Sequence, residues 1–151
     1  MIKIMFVCHG NICRSPMAEF VMLDLIRKSN TTDSFFVSSS ATSYEEIGST
    51  IHKGTKNKLS EMGIPFSDRV AVRLKKSDYD NFDYIVGMDD SNIRNILRIF
   101  GSYYDNKVYK FLDFCDGGDI SDPWYTGDFN RTFDDILKGC TALLHKLTKV
   151  L

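Results

Sequence analysis

Four short apolar runs, each followed by a stretch with helical spacing, leave this chain few folds to choose from. The runs are Lys3–Val7, Phe35–Ser38, Tyr84–Gly87 and Val108–Leu112. Apolar residues at consecutive positions belong to strands covered on both faces. After the first run, Ser15 reads as an N-cap, Pro16 as the first helical residue and Glu19 as a first-turn acid. Met17, Ala18, Phe20, Val21, Leu23, Leu25 and Ile26 continue that helix. A polar stretch over 39–50 precedes a helix over 51–62, stopped by Gly63 with Pro65 beyond. Asp89 or Asp90 caps a helix over 91–100 with Ile93, Ile96, Leu97 and Phe100 on one face. The last helix runs over 132–148, with Phe133, Ile136, Leu137, Cys140, Leu143, Leu144 and Leu147 as its buried stripe. Strand and helix in alternation imply an α/β domain, a four-stranded parallel sheet with helices on both faces. Such sheets bind ligands beyond the carboxyl ends of their strands, at the topological switch point. The segment 113–129, irregular and rich in Asp and Gly, is long enough to suggest a functional loop.

Length and composition narrow the role. The 151 residues make one domain, 1–151, without internal repeat or linker, and 43% hydrophobic residues suffice for its core. With 19 basic and 20 acidic residues the net charge is −1, which argues against nucleic acid as the main partner and leaves room for a local basic patch. The apolar start at Met1–Val7 is too short for a secretory leader or a membrane span, so the expectation is a cytoplasmic protein without membrane insertion. Cysteines at 8, 13, 115 and 140 form no Cys-x-x-Cys pair, and His9, His52 and His145 stand at no zinc spacing from them. Free thiols and no metal are expected.

The segment Cys8-His9-Gly10-Asn11-Ile12-Cys13-Arg14-Ser15-Pro16 joins the first strand to the first helix. A tight turn there gathers backbone N–H groups beside the positive end of a helix dipole, which makes an anion site. Gly10 supplies conformational freedom, and Asn11 tolerates a left-handed backbone. The N–H groups, Arg14 and the Ser15 hydroxyl would stabilise a thiolate at Cys8. The planar fork of Arg14 matches two phosphate oxygens. A lone Cys and Arg six residues apart is commonplace, and a cysteine ending a strand is usually a packed thiol. The added Gly-Asn, the Arg-Ser-Pro helix start and the preceding strand select the chemical reading.

Cys-His-Gly-Asn-Ile-Cys-Arg-Ser-Pro-Met-Ala-Glu resembles the signature of the low-molecular-weight protein tyrosine phosphatases. So do Ser40-Ala41, Gly48, Met62-Gly63-Ile64, Asp78-Tyr79, Phe82-Asp83-Tyr84-Ile85, Met88-Asp89-Asp90-Ser91-Asn92 and Asp122-Pro123-Trp124-Tyr125. The likeness therefore covers nearly the whole chain. It implies the phosphotyrosine phosphatase I-like fold, a Rossmann-like three-layer arrangement, and hydrolysis of phosphotyrosine through a cysteinyl-phosphate without a cofactor. Phosphotyrosine proteins would be the substrates, inorganic phosphate the product, and the enzyme a monomer.

A phenolate leaving group, with a conjugate acid of pKa about 10, benefits from a proton donor worth ~10²–10⁴-fold. Asp122, fixed by Pro123 in the long loop, is the candidate and matches the family's general acid; otherwise Asp-Pro would be a turn starter. Trp124 and Tyr125 either wall an aromatic slot or pack in the core; the family usually has two tyrosines here. Across the slot the family often carries an aromatic, where this chain has Glu45 with Tyr44 beside it. His9, Gly10, Ile12 and Cys13 complete the phosphate-binding turn, with His9 read as a spacer. Asn11, Ser15 and Ser40 match a family hydrogen-bond set that holds the turn in shape. That set often includes a histidine, near whose place stand Asp68 and Arg69. Asp89 either orients the region or simply caps a helix. Cys13 either packs or, as in the family, pairs reversibly with Cys8 under oxidation.

Three rivals remain. An arsenate reductase shares fold and loop, but Cys115 and Cys140 are far apart and Cys140 falls on an apolar stripe. A protein-arginine phosphatase tends to carry a small polar residue in place of Ile12. A silent phosphopeptide-binding module would need neither Cys8 nor Asp122.

Overall fold

The computed structural model describes residues 1–151. At its centre lies a wholly parallel sheet of β1 (Ile2–Cys8), β2 (Phe35–Ala41), β3 (Tyr84–Gly87) and β4 (Val108–Lys110), ordered β2-β1-β3-β4. The helices are α1 (Arg14–Lys28), α2 (Lys53–Glu61), α3 (Asp78–Asn81), α4 (Asp90–Phe100), α5 (Pro123–Thr126) and α6 (Phe129–Thr148). Short 3₁₀ turns occupy Thr32–Ser34 and Phe111–Phe114.

The pleat of β1 divides the core. Ile4, Phe6 and Cys8 join Met17 and Val21 of α1 and Ile136, Cys140 and Leu143 of α6 in a cluster of 25 buried residues. Met5 and Val7 turn the other way and meet Leu74, Phe82, Ile85, Ile96 and Phe100 in a cluster of 7. The α1–α6 face thus carries most of the apolar burial that stabilises the sheet. Gly139 sits inside α6, where glycine costs about 1 kcal/mol relative to alanine. A Cβ there would stand 2.7 Å from the ring of Phe111, which itself packs on Phe6 at 5.1 Å. The glycine seats that ring.

The expected sheet and helix order is present; several boundaries move. β2 continues through Ser39, Ser40 and Ala41, which pair with Phe6, Val7 and Cys8. Serines that look like loop are buried strand here, and the Ser39 hydroxyl bonds Asn11 of the neighbouring turn. The first helix starts at Arg14 after Cys13, with no side-chain cap and no acid in its first turn. Ser15 is therefore no N-cap, since its hydroxyl is engaged by Cys8 and Asn11. α2 is shorter than expected, and His52 caps it by accepting from Gly54 N at 2.9 Å. Of the two candidate caps for α4, Asp89 takes the role through Asn92 N at 2.7 Å. β4 ends at Lys110, where the chain turns into the 3₁₀ segment. The segment read as irregular holds α5, and α6 begins at Phe129 behind the cap Asp128. The single turn α3 gave no sequence signal.

No helix is long and apolar enough to cross a membrane. All four cysteines are free, and no cluster of three or more His, Cys, Asp or Glu side chains could hold a metal ion.

Candidate active site

The chain leaves β1 for β2 on one side and reaches β3 on the other, so the loops after β1 and β3 diverge and open a crevice between them. Cys8 ends β1 at that crevice. Its Sγ lies 3.0 Å from Ser15 Oγ and receives the N–H groups of Asn11 at 3.3 Å and Ser15 at 3.4 Å. Three polar contacts thus converge on one sulfur. The N–H groups of Gly10, Ile12 and Cys13 donate to no acceptor in the protein and are free for an anion.

Asn11 adopts φ 58°, the left-handed conformation, whereas Gly10 does not have a positive φ. Gly10 is instead placed close to Glu46, whose Cγ would be 3.4 Å from an added Cβ. Asn11 Nδ2 donates to Ser15 Oγ at 2.7 Å and to Ser39 Oγ at 3.0 Å, and its Oδ1 accepts from Arg69 at 2.8 Å and from Val72 N at 3.2 Å. The serine in this set is thus Ser39. Ser40 contributes only its carbonyl, 3.5 Å from Ser15 Oγ, and its own hydroxyl is buried without a partner. Register explains the difference: alternate residues of β2 face opposite ways, and Ser39 shares the side of Asn11. Between the candidates for the missing histidine, Arg69 is the one that reaches the turn. It bonds Asn11, Ser39 Oγ at 2.8 Å and Ser39 O at 3.2 Å, while Asp68 lies exposed beside Lys56. Glu19 completes the group, accepting from Ser39 Oγ at 2.6 Å and facing Arg69 at 3.6 Å. Burial pushes the Glu19 carboxyl upward, with Ser39 and Arg69 opposing. A half-buried Glu on the first helix and an Arg far along the chain could not have been linked from sequence.

The Arg14 side chain is 3% exposed. It donates to Asp89 Oδ2 at 2.7 Å and Ile120 O at 2.9 Å, and meets Asp122 Oδ2 at 3.4 Å. Burial works against its charge, but Cys8, Asp89 and Asp122 outweigh that and raise its pKa. Asp89 therefore both caps α4 and steadies Arg14. Asp122 caps α5 through Trp124 N at 3.0 Å, which aims the carboxylate back at the crevice.

Around Cys8 and Arg14 the pocket is lined by His9, Ile12, Cys13, Glu45, Glu46, Asp122, Trp124 and Tyr125. Trp124 and Tyr125 are wall residues rather than core, 56% and 82% exposed. His52 packs edge-on against Trp124 at 5.7 Å and stacks on Phe129 at 5.3 Å, and its N–H holds Ile12 O at 2.8 Å. Neither His52 nor Glu46 stood out in the sequence. His9 is more than a spacer, since Nε2 meets Glu45 Oε2 at 3.0 Å on the rim. Tyr44 points out of the pocket and lies under Arg73, 4.0 Å from its guanidinium carbon. Cys13 is buried at the base of the pocket, and burial, followed by the charge of Cys8, pushes its thiol up to about 12.

A thiol at the focus of a turn with free N–H groups, on a doubly wound sheet and with an arginine fork beside it, fits the phosphatase class. The comparisons name the branch. The family model described as low molecular weight phosphotyrosine protein phosphatase matches residues 3–151. The low molecular weight protein-tyrosine-phosphatase YfkJ of Bacillus subtilis is 36% identical over 152 residues, spanning 99% of this chain and 97% of the relative. PtpA of Staphylococcus aureus is 36% identical over 151 residues, at 99% and 96% coverage. The crystal structure of YfkJ superposes with a TM-score of 0.95 over 99% of this chain and 96% of that one. That of SP-PTP from Streptococcus pyogenes gives 0.90 at 40% identity, covering 97% and 93%. The chain belongs to the low molecular weight phosphotyrosine protein phosphatase family, and it is a phosphatase acting on phosphoproteins.

Proposed function

We propose that the chain, acting as a single domain and a monomer in a reducing cytoplasm, hydrolyses phosphotyrosine in proteins by a two-step covalent route. The observation that carries the route is the contact set on Cys8 Sγ, one hydroxyl and two backbone N–H groups, with the charge of Arg14 adjacent. The phosphoryl oxygens take the free N–H groups of the turn and the Arg14 fork, so charge is met by fixed donors and little reorganisation is needed. Cys8 sulfur attacks phosphorus and the tyrosine oxygen departs, taking its proton from Asp122. A water then attacks the cysteinyl phosphate, Asp122 accepts a proton from it, and Cys8 leaves as thiolate with inorganic phosphate. Arg14 already holds Asp122 at 3.4 Å, and an entering phosphate would draw the guanidinium off the carboxylate. Ile12, Trp124 and Tyr125 offer the apolar walls that a tyrosine ring needs. Arg69, with Glu19 and Ser39, positions Asn11 in place of the histidine common in the family. Cys13 is a candidate resolving thiol: peroxide converts Cys8 to a sulfenic acid, and Cys13 displaces water to form the disulfide.

The test compares an aryl phosphate, a phosphotyrosine peptide, phosphoarginine, and arsenate with a thiol donor. Turnover of the aryl and tyrosine esters, abolished in Cys8→Ser, supports the route; robust turnover in that variant rules it out. For Asp122→Asn the loss should reach ~10²–10⁴-fold with a basic leaving group and shrink as the leaving group becomes more acidic. A loss independent of the leaving group would remove the proton-transfer role.

A further inference from the structure

Opposite the rim residue Glu45, the same loop walls a second, basic cleft. Its lining includes Tyr44, Arg73, Lys75, Lys76, Arg98 and Ile99, and no carboxylate residue lines it. Four cations converge there in a chain whose net charge is −1. None of the four forms an ion pair with an Asp or Glu. The cleft is also built rather than loose. Arg73 Nε donates to Thr42 O at 3.3 Å and its plane covers the Tyr44 ring, while Leu74 N bonds Ala41 O at 2.8 Å and fixes the strand-like segment that bears Lys75 and Lys76. Arg98 comes from α4, held by Asn95 at 3.0 Å. Four cations without carboxylate partners around one concavity constitute a positive potential.

We propose that this cleft is a docking site for an acidic stretch of the phosphoprotein substrate, set a few residues from its phosphotyrosine. The proposal rests on the phosphatase reading of the neighbouring pocket. Tyr44 lines the cleft and Glu45 lines the pocket, so one wall of the loop separates the two. The two mouths differ in sign: Glu45, Glu46 and Asp122 surround the pocket, and cations surround the cleft. A substrate that is neutral or basic next to its phosphotyrosine and acidic further along fits both. The near-neutral charge of the whole chain disfavours a nucleic acid as occupant.

The experiment measures kcat/KM for phosphotyrosine peptides carrying a glutamate run on the N-terminal or the C-terminal side, each against a twin with glutamine in its place. At low salt one glutamate peptide should exceed its twin by about fivefold or more, and the gap should close between about 0.05 and 0.5 M salt. The combined variant Lys75→Glu, Lys76→Glu, Arg98→Glu should lose the preference and keep wild-type turnover of an aryl phosphate. Arg98→Glu alone, on an exposed helix face, serves if the triple variant does not fold, and should reduce the preference. Equal kcat/KM for both twins, or a preference that survives charge reversal, overturns the proposal. So does a single-stranded RNA oligonucleotide that binds wild type and not the variant while the twins stay equal. Aryl phosphate turnover separates the two levels: if it is absent the phosphatase reading fails, and if it is present without peptide preference only the docking site fails.

Discussion

Asn11 lies beneath the turn that floors the pocket and Glu45 stands at its rim, and the protein treats the two in opposite ways. Asn11 is buried, locked in a left-handed conformation, and bonded to Ser15, Ser39, Arg69 and Val72. Glu45 has one side-chain partner, His9, and that pair is largely exposed. The turn that would grip the phosphoryl group is thus tied down at several points, whereas the Glu45 side of the rim hangs on a single solvated contact. A preorganised turn keeps its dipoles in place at the moment of reaction. Rim contacts of this kind contribute ~0–1 kcal/mol and leave the wall free to vary. Chemistry and selectivity are therefore separable on this fold, and each substitution below either breaks or sharpens that separation.

The largest effect is expected at Arg14. Replacing its fork by an ammonium keeps the charge but loses the planar geometry that serves Asp89 and Ile120 O and would serve phosphate with them. For Arg14→Lys, kcat with an aryl phosphate should fall by about 10²–10³. A loss below about tenfold would show that charge alone suffices and that the turn is less exacting than its hydrogen bonds suggest.

Arg69 comes next, with a pH signature. Glu19 has its pKa raised by burial, with Ser39 and Arg69 pulling it down. A carboxyl raised above its unfolded value favours folding most below the unfolded pKa, and that contribution is lost as pH rises through the folded pKa. In Arg69→Met the opposing cation is gone, so the folded pKa of Glu19 rises further. The variant should lose about 1–3 kcal/mol of stability at pH 7, and less at pH 5 where Glu19 is closer to its neutral form. Glu19→Gln added to Arg69→Met should recover part of the loss at pH 7. With Asn11 less firmly held, kcat should drop by about tenfold while KM changes little. Denaturant melts at the two pH values together with kcat decide this. A stability loss identical at both would mean that Arg69 acts by packing and not through Glu19.

The sequence carried the turn far better than its supports, for a physical reason. Cys8, Asn11, Arg14 and Ser15 lie within one segment, where strand end, conformational preference and helix start are local properties. The sheet is legible on the same ground, because runs such as Lys3–Val7 and Tyr84–Gly87 declare two covered faces. Ser39 and Ser40 defeated that logic: buried polar strand residues look like loop until their partners are known. Arg69 is 58 residues from Asn11, and His52 reaches the pocket only through Trp124 and Ile12, so neither has a local signal. The shift of α1 to Arg14 is the same effect in small, since Ser15 is a good cap whose hydroxyl is engaged by Cys8 and Asn11 instead.

The smallest effect is expected at Glu45, and it sharpens the contrast most. Glu45→Gln keeps the length and a hydrogen bond to His9 but deletes one of three carboxylates around the pocket. An exposed pair of this kind should change stability by less than about 0.5 kcal/mol. Turnover of a small aryl phosphate, which carries no flanking residues, should change by less than about threefold. Peptides are different, because the residues flanking the phosphotyrosine must pass Glu45 and Glu46. Those with an acidic neighbour should gain about two- to fivefold in kcat/KM, those with a basic neighbour should lose a similar factor, and both shifts should fade with salt. Opposite shifts for opposite charges would place selectivity on the wall. A common loss of tenfold or more, aryl phosphate included, would instead make the His9–Glu45 pair part of the machinery that handles phosphate, and the division between a fixed turn and a variable wall would not hold.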